Sequence, residues 1–337
     1  MSEAPTISSS TPTSSPVLAY MKLFRLPNVF TAWADIIMGF LVVSSFPTGS
    51  PSLAPLLVFL CLLGASSLIY TAGMILNDYY DREIDREQRP DRPIPSGQIS
   101  ARGACLLGYL FLALGLLIAT VAGYLYPDAT AMSWRGGLIA LLLCVMVIAY
   151  DAVLKRTPIA PLAMGGCRFF NLLLGMSLAG QVVDSPDFAV LGYGTGQLMV
   201  AGGLGLFITG VTWFARTEAV ESSRGQLIGG GLVMLLGICL LAGVAEVESP
   251  VVRLNHLSSL GWYGLIVLLS LANARRVVLA IHKPVPENVQ VAVKQALLSL
   301  IFYNAAVALA VCGTLWGVVI VALLIPMLGL GRWVYST

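Results

Sequence analysis

Charged residues are scarce in this sequence. Only 11% of the 337 residues are Asp, Glu, Lys or Arg, and only two are His, whereas about a quarter of the residues in a soluble domain are charged. Hydrophobic residues make up 57% of the chain, and the mean hydropathy is +0.85. The composition therefore excludes an ordinary soluble domain and indicates a membrane protein.

Paired cysteine spacing is also missing. The six cysteines stand singly within apolar segments, which is typical of small buried side chains and not of disulfide frameworks or metal centres. Ten-residue segments of alternating polarity are missing as well, which argues against a transmembrane β-barrel.

Long apolar runs recur along the chain, and many reach the roughly 18 residues that indicate a spanning helix. We predict an all-α, polytopic bundle of nine or ten transmembrane helices, because the last two runs are also compatible with one bent element. The predicted spans are 27–47, 54–77, 103–126, 132–150, 159–181, 195–215, 226–245, 259–281, 293–312 and 314–334.

The first twenty residues are rich in Ser, Thr and Pro and are predicted to form a disordered tail. They contain no basic segment leading into an apolar run, so we do not expect a cleaved signal peptide. Residues 21–313 are predicted to form one transmembrane domain, followed by an additional helix at 314–337.

Basic residues fall in alternate loops. Sixteen of the nineteen Lys and Arg residues lie on one side of the predicted bundle, Arg135 and Arg253 lie on the other, and Arg168 lies within a span. By the positive-inside rule, the N-terminus is predicted to be cytoplasmic. We expect an integral protein of a bacterial inner (plasma) membrane.

The stretch Asn77–Gly97, NDYYDREIDREQRPDRPIPSG, is the most polar segment of this apolar chain. Asn77, Asp81 and Asp85 are spaced four residues apart, so a helix would carry them on one face. Repulsion between like charges at this spacing disfavours the arrangement unless a cation lies among them. Magnesium, which takes one or two carboxylates together with water and phosphate oxygens, suits the pattern. A solvated acidic loop is the alternative.

Basic and polar residues elsewhere on the predicted cytoplasmic side could contribute to the same site as the acidic stretch. Lys155 and Arg156 are suited to binding phosphate oxygens, although they could serve only to determine topology. Arg168 lies in an apolar span, where it either faces a cavity or pairs with an acid such as Asp151. Asp35 is the remaining acid within a span, and its role stays open.

A weak internal repeat is also visible. Arg25-Leu-Pro-Asn28 opens the first predicted span, and Arg168-Phe-Phe-Asn171 lies in the fifth. Thr217 and Glu221 follow the sixth span at the spacing that Asn77 and Asp81 have after the second. We interpret this as two four-helix repeats around a central cavity, with two polar helix ends facing each other.

The motif N-D-x-x-D-x-x-x-D followed by R-P-[IL]-[PA]-x-G, present between Asn77 and Gly97, resembles the first aspartate-rich motif of the UbiA superfamily of intramembrane prenyltransferases. The resemblance extends from Arg25 to about residue 312. It implies a helical bundle whose cavity opens sideways to lipid and holds Mg2+ and a polyprenyl diphosphate. Departure of the diphosphate would leave an allylic cation, which an acceptor attacks.

Site roles follow from this resemblance. The expected catalytic residues are Asp81, Asp85, Lys155 and Arg156, and the expected metal ligands are Asn77, Asp81, Asp85 and Glu221. The expected substrate-binding residues are Arg25, Asn28, Asn77, Asp78, Arg92, Tyr150, Arg168, Asn171 and Thr217.

The second acidic motif departs from the family pattern D-x-x-x-D, because Thr217 and Glu221 occupy its positions, with Glu218 as a possible substitute ligand. The segment Met164–Gly175 resembles the UbiA-like proteins called EboC. We expect magnesium-dependent prenyl transfer to an unidentified acceptor in the membrane. The alternatives are a UbiA-like protein that binds or moves an isoprenoid without transferring it, and an ion-coupled transporter.

Overall fold

The computed structural model describes residues 16–44, 53–126, 132–178, 189–218, 221–249 and 251–336, without the side chains of 333–336. These residues form thirteen α-helices, and their only β-type pairing is an isolated bridge between Val190 and Tyr193. The helices are α1 (Pro16–Phe24), α2 (Val29–Val43), α3 (Leu53–Tyr80), α4 (Arg82–Gln88), α5 (Ala101–Leu125), α6 (Arg135–Ala152), α7 (Ala160–Gly175), α8 (Thr195–Phe214), α9 (Arg224–Ala242), α10 (Ser259–His282), α11 (Pro286–Cys312), α12 (Thr314–Val321) and α13 (Leu324–Ser336).

Nine helical stretches in the described part of the chain are long and apolar enough to cross a membrane. The first of them joins α1 to α2, and the last joins α12 to α13. Helix α7, with 16 residues, is shorter than these nine. The prediction of an all-α integral membrane protein is confirmed.

Serine side chains mark where three of the long helices begin. Ser100, Ser223 and Ser258 are the N-cap residues of α5, α9 and α10, and each accepts a hydrogen bond from a backbone N–H three residues later, at 3.1, 3.3 and 3.2 Å. Such a cap satisfies one of the N–H groups that the first helical turn leaves without a partner. The caps fix the points at which these helices begin after their loops.

The helices form two groups of four with the same order of neighbours, α2–α3–α5–α6 and α7–α8–α9–α10. The second and third helices of each group pack together most extensively, and the first helices, α2 and α7, pack against each other. The matching letters in the sequence are nevertheless not at equivalent depths. Asn28 is the N-cap of α2, whereas Asn171 lies far inside α7.

Helices α2 and α7 cross at two glycines. A Cβ atom added at Gly39 would lie 2.9 Å from the carbonyl carbon of Gly175, and one added at Gly175 would lie 2.9 Å from Cα of Ile36. Small residues allow membrane helices to approach this closely. The crossing therefore brings α2 close enough to α7 for buried polar side chains to meet.

The C-terminal helices return along the bundle. Helix α11 ends at Cys312, and its C-cap residue Gly313 has a φ of 103°, which only glycine adopts readily. Gly317 of α12 then packs against Leu309 of α11, so the two helices are antiparallel and are not one bent element. Helix α13 reaches the 3₁₀ turn Leu26–Asn28 near the start of the chain.

The predicted disordered tail falls largely on residues 1–15, which lie outside the described residues. Residues 16–20 belong to α1, in which Ala19 and Leu23 are buried. These two side chains pack in a small core with Ile75, Ile94 and Ile99. Helix α1 therefore lies beside the end of α3 and the loop that follows α4.

Candidate active site

The acidic stretch begins at the end of α3 and continues through α4. The regular helix is interrupted at Asp81, but the backbone N–H of Asp81 still bonds to the carbonyl of Asn77 at 3.0 Å, and that of Asp85 bonds to the carbonyl of Asp81 at 2.9 Å. This i to i+4 bonding keeps Asn77, Asp81 and Asp85 in helical register across the interruption. The three side chains therefore lie on one face, as their spacing predicted.

Arg92 folds the following loop back onto this stretch. Its Nη1 donates to Asp85 at 2.7 Å and to Asp78 at 3.1 Å. The side chains of both acids are only 5% exposed, so one guanidinium is shared between two buried carboxylates. Ile94 and Ile99, on the same loop, are buried. The Pro-rich loop is thus a packed structure, as its composition predicted.

Arg25 reaches the same carboxylate from the other side. Its Nη2 donates to Asp78 Oδ1 at 2.9 Å. Arg25 has φ 46° and ψ 45°, a left-handed backbone conformation that costs a non-glycine residue about 1–2 kcal/mol. This conformation lies between α1 and the 3₁₀ turn Leu26–Asn28, so the kink that turns the chain into α2 also directs Arg25 towards Asp78.

The end of α6 supplies two further contacts. Asn77 donates from Nδ2 to Asp151 Oδ1 at 2.9 Å, and Lys155, in the 3₁₀ turn Leu154–Arg156, donates to Asp81 Oδ2. Tyr150 is half-buried on the last turn of α6, and Arg156 is exposed beside Lys155. We call Asn77, Asp78, Asp81, Asp85 and Asp151, with their basic partners Arg25, Arg92 and Lys155, the acid cluster.

Arg168 and Asn171 lie deeper in the bundle than the acid cluster. Arg168 pairs with Asp35 at 2.5 Å, so the suggested ion pair with Asp151 is not formed. Asp35 is fully buried and also accepts from Asn171 at 2.9 Å and from Asn304 at 3.0 Å. Ser66 of α3 donates to Asn171 at 2.7 Å. We call these five residues the deep polar cluster; it joins α2, α3, α7 and α11.

The second predicted motif is not arranged like the first. Helix α8 ends at Phe214, and a 3₁₀ turn ends at Thr217, so Thr217 and Glu221 are not successive positions on one α-helix. The Thr217 hydroxyl donates to Ser222 at 2.7 Å and accepts from Gln226 at 3.2 Å. Glu221 is exposed. The second acidic motif therefore does not form a helical row of side chains like that of Asn77, Asp81 and Asp85.

Glu218 is the half-buried acid at this second position. Burial raises the pKa of its carboxyl above the ordinary value, and the positive charge of Arg89 acts in the opposite direction. Arg89 directly follows α4, so the segment after the first acidic stretch lies close enough to Glu218 for its charge to act on that carboxyl. Because Glu218 is half-buried and Glu221 is exposed, Glu218 is the better candidate for a residue of the site.

The structure thus brings together most of the predicted site. Contacts within the acid cluster join Arg25, Asn77, Asp78, Asp81, Asp85, Arg92 and Lys155. Asn28, Tyr150 and Arg156 lie on neighbouring turns and make none of these contacts within the part of the chain that the structure describes. Asp151 and Asn304 were not among the predicted site residues, although each is a polar residue in an apolar span.

The donor set of the acid cluster fits a hard cation. Asn77, Asp81 and Asp85 offer only oxygen ligands of the kind magnesium prefers. In the described part of the chain, no three His, Cys, Asp or Glu side chains lie close enough to enclose a metal ion. Magnesium does not need such a cage, because it normally keeps water and phosphate oxygens among its ligands.

Known proteins resemble this chain both in sequence and in fold. Digeranylgeranylglyceryl phosphate synthase of Metallosphaera sedula is 36% identical over 140 residues, covering 42% of this chain and 44% of that protein. The protein of the same name from Methanosarcina barkeri is 32% identical over 174 residues, covering 50% and 57%. The chain therefore matches about half the length of these curated relatives.

Solved structures extend the likeness of fold over most of the chain. A solved structure of digeranylgeranylglyceryl phosphate synthase has a TM-score of 0.60 at 20% identity, covering 89% of this chain and 99% of that one. A UbiA homologue from Aeropyrum pernix K1 has a TM-score of 0.52 at 16% identity, covering 86% and 97%. At the level of sequence, the profile of the UbiA prenyltransferase family matches residues 36–281, and the chain belongs to that family.

Proposed function

We propose that this protein transfers a prenyl group from a polyprenyl diphosphate to an acceptor within the membrane, with Mg2+ as cofactor. The proposal rests chiefly on the acid cluster, in which carboxylates and basic side chains from separate segments meet at one end of an apolar bundle. A site for a metal cation alone would need only the carboxylates, and a site for an anion alone would need only the basic side chains. Both together suit a diphosphate that carries a metal ion.

Asp81 is the carboxylate best suited to bind the incoming metal. Its side chain is 19% exposed and that of Lys155 is 28% exposed, whereas Asp78 and Asp85 are 5% exposed and held by Arg92. We propose that Lys155 transfers its hydrogen bond from Asp81 to a phosphate oxygen when substrate binds. Asp85 and Asn77 then complete the protein's share of the ligands, and Arg156 and Arg25 add positive charge.

The reaction breaks the bond between the prenyl C1 and the diphosphate oxygen. The electron pair leaves with the diphosphate, the acceptor forms the new bond to C1, and the acceptor's proton is released. Bound magnesium would neutralise the leaving group, and Lys155 and Arg156 would add hydrogen bonds to its oxygens. The apolar walls of the bundle would exclude water, which would otherwise capture the allylic cation.

A glyceryl phosphate ether is the acceptor to test first, because relatives with 30–36% identity carry the name digeranylgeranylglyceryl phosphate synthase. The family resemblance leaves aromatic, quinone-precursor and tetrapyrrole acceptors as further candidates. The distribution of basic residues supports an orientation in which the acid cluster and the N-terminus are cytoplasmic. We propose a bacterial inner (plasma) membrane as the location.

A second function is favoured by the end of α8. There the hydroxyl of Thr217 is committed to Ser222 and Gln226, and Glu221 is exposed. With fewer carboxylates available, a second metal would bind weakly. The protein would then bind or move an isoprenoid without transferring it.

One experiment separates the two functions. Purified protein in detergent is given geranylgeranyl diphosphate, with and without Mg2+ and with a glyceryl phosphate ether, and both ligand binding and release of diphosphate are measured. Release that requires Mg2+ and acceptor supports prenyl transfer. Binding without release, with this acceptor and then with aromatic, quinone-precursor and tetrapyrrole acceptors, supports the carrier function, and absence of both binding and release contradicts the diphosphate site.

A further inference from the structure

A groove between α10 and α11 lies outside the acid cluster and the deep polar cluster. Its volume is about 600 Å³, within the roughly 300–1,000 Å³ of small-molecule sites. Four of its lining residues, Ala272, Val291, Lys294 and Phe302, are exposed, so the groove opens at the surface of the bundle. Its inner part is lined mainly by apolar side chains, among them Leu269 and Leu298.

A buried amide without a complete set of partners lines this groove. Asn273 is 5% exposed, and its Oδ1 atom has no hydrogen-bond partner among the described residues. A buried polar atom left unpaired costs about 1–3 kcal/mol, more than a typical hydrogen bond contributes. Gln295 and Ser299 also line the groove, but each side chain donates to a backbone carbonyl, of Ala272 and Ala296 respectively. The unpaired atom of Asn273 therefore indicates a ligand that supplies the missing partner.

The neighbouring hydrogen bonds fix what that partner must be. Ser270 donates to the carbonyl of Ile266 at 2.6 Å, so the Tyr303 hydroxyl, 3.3 Å from Ser270, donates to the serine oxygen. Tyr303 then accepts from Asn273 Nδ2 at 3.4 Å. Because this chain of donors uses the amide nitrogen, the free atom of Asn273 is an acceptor, and the ligand must donate to it.

Positive charge lies at the shallow end of the groove. Lys294 is exposed, and within the described part of the chain no acid pairs with it. Helical side chains lean towards the N-terminus of their own helix. Helix α11 begins at the end of the bundle where α10 finishes, so Lys294 leans towards that end and Asn273 leans into the bundle. An anion at Lys294 would therefore lie nearer the membrane surface than a donor at Asn273.

We propose that this groove binds a single-chain phospholipid from the surrounding bilayer, with a free hydroxyl between its phosphate and its chain. The phosphate contacts Lys294, the hydroxyl donates to Asn273 Oδ1, and the chain lies along Leu269, Leu298 and Phe302. A diacyl lipid has esters at the corresponding position and has no hydrogen to donate. The site is independent of the prenyl diphosphate chemistry proposed above.

The test compares three probes on the purified full-length protein by native mass spectrometry. Monoacylglycerol phosphate carries both the phosphate and the hydroxyl, diacylglycerol phosphate lacks the free hydroxyl, and monoacylglycerol lacks the phosphate. We expect the first to bind about tenfold more tightly than either of the others, which corresponds to one well-formed hydrogen bond or ion pair. Equal binding of all three would mean that the groove holds ordinary lipid chains, and would overturn the proposal.

Two variants assign the selectivity to residues. Asn273→Leu should remove the preference for monoacyl over diacyl phosphate, and Lys294→Gln should remove the preference for the phosphate over monoacylglycerol. Lys283→Gln, which changes an exposed lysine outside the groove, is the matched control and should keep both preferences. Since Lys294 is exposed, its variant should fold even if Asn273→Leu does not. An unchanged preference in Lys294→Gln, or an equal loss in Lys283→Gln, would contradict the proposal.

Discussion

Lys155 donates a hydrogen bond to Asp81, joining the turn after α6 to the junction of α3 and α4. The two residues are 74 positions apart in the sequence. The contact unites a basic pair and an acidic motif that the sequence presents separately. The contact also holds the carboxylate of Asp81 in place, with 19% of its side chain exposed.

Asp81→Ala should abolish magnesium-dependent binding of prenyl diphosphate, because it removes the most accessible carboxylate of the acid cluster. The expected loss is at least about tenfold, comparable with the loss of one charge-assisted contact. Titration of purified protein with geranylgeranyl diphosphate, at several Mg2+ concentrations, measures the effect.

The matched control is Glu83→Gln. Glu83 lies two residues from Asp81, but its side chain is 62% exposed and its partner Arg86 is 64% exposed. This variant should bind as the unmodified protein does. Unchanged affinity in Asp81→Ala would contradict the assignment of Asp81 as a metal ligand.

Much of this arrangement could be predicted from the sequence, because local pattern determines it. Apolar runs predicted the spans, and the spacing of Asn77, Asp81 and Asp85 predicted a shared face that the backbone bonding preserves. Composition also predicted that the loop around Arg92 would be structured. In each case the information lies within a few residues along the chain.

The rest depended on how distant helices pack. Arg168 could pair with any buried acid, and only the close crossing of α2 and α7 at Gly39 and Gly175 selects Asp35. Asn304, which completes the shell of Asp35, lies 269 residues further along the chain. The helix through Thr217 and Glu221 was predicted from spacing alone. That spacing does not show where α8 ends.

Arg92→Ala should destabilise the protein by about 3–5 kcal/mol, because Asp85 loses its basic partner and Asp78 loses one of two. Arg92→Lys should recover much of this, since both hydrogen bonds come from one nitrogen, Nη1, and an ammonium keeps the charge and the donors. Unfolding of the purified protein, followed by circular dichroism in detergent, gives the free energies. The control Arg86→Ala removes an exposed pair and should cost no more than about 1 kcal/mol. Equal costs for Arg92→Ala and Arg86→Ala would show that the buried pairs contribute little.

Thr217→Asp should increase the dependence of diphosphate binding on Mg2+, because it adds a carboxylate next to Glu218 at the end of α8. Ser222 and Gln226, which already contact the Thr217 hydroxyl, can donate to the new carboxylate. Thr217→Asn has nearly the same shape without the charge and is the control. If Asp and Asn at this position have the same effect on Mg2+ dependence, the end of α8 does not face the acid cluster.

Arg168→Met should destabilise the protein by about 3–5 kcal/mol, because Asp35 is fully buried and would lose its charged partner. Asp35→Asn in the same protein should restore part of that stability, since a neutral amide can still bond to Asn171 and Asn304. Free energies of unfolding for the two single variants and the double variant form a thermodynamic cycle. Additive effects would show that Arg168 and Asp35 are not coupled, which would contradict the ion pair.

Gly210→Ala should separate α8 from α9. A Cβ atom at this position would lie 2.4 Å from the backbone nitrogen of Met234 and 2.7 Å from the carbonyl oxygen of Gly230, and backbone atoms cannot move aside as a flexible side chain can. Overpacking of this kind costs about 1–3 kcal/mol, which unfolding in detergent would measure. Gly264→Ala is the matched control, because a Cβ there meets nothing within 4 Å and alanine favours the helix by about 1 kcal/mol. The first variant should therefore lower the free energy of unfolding and the second should raise it. A neutral Gly210→Ala would mean that α8 and α9 can move apart without loss, and that their close contact does not contribute to the stability of the bundle.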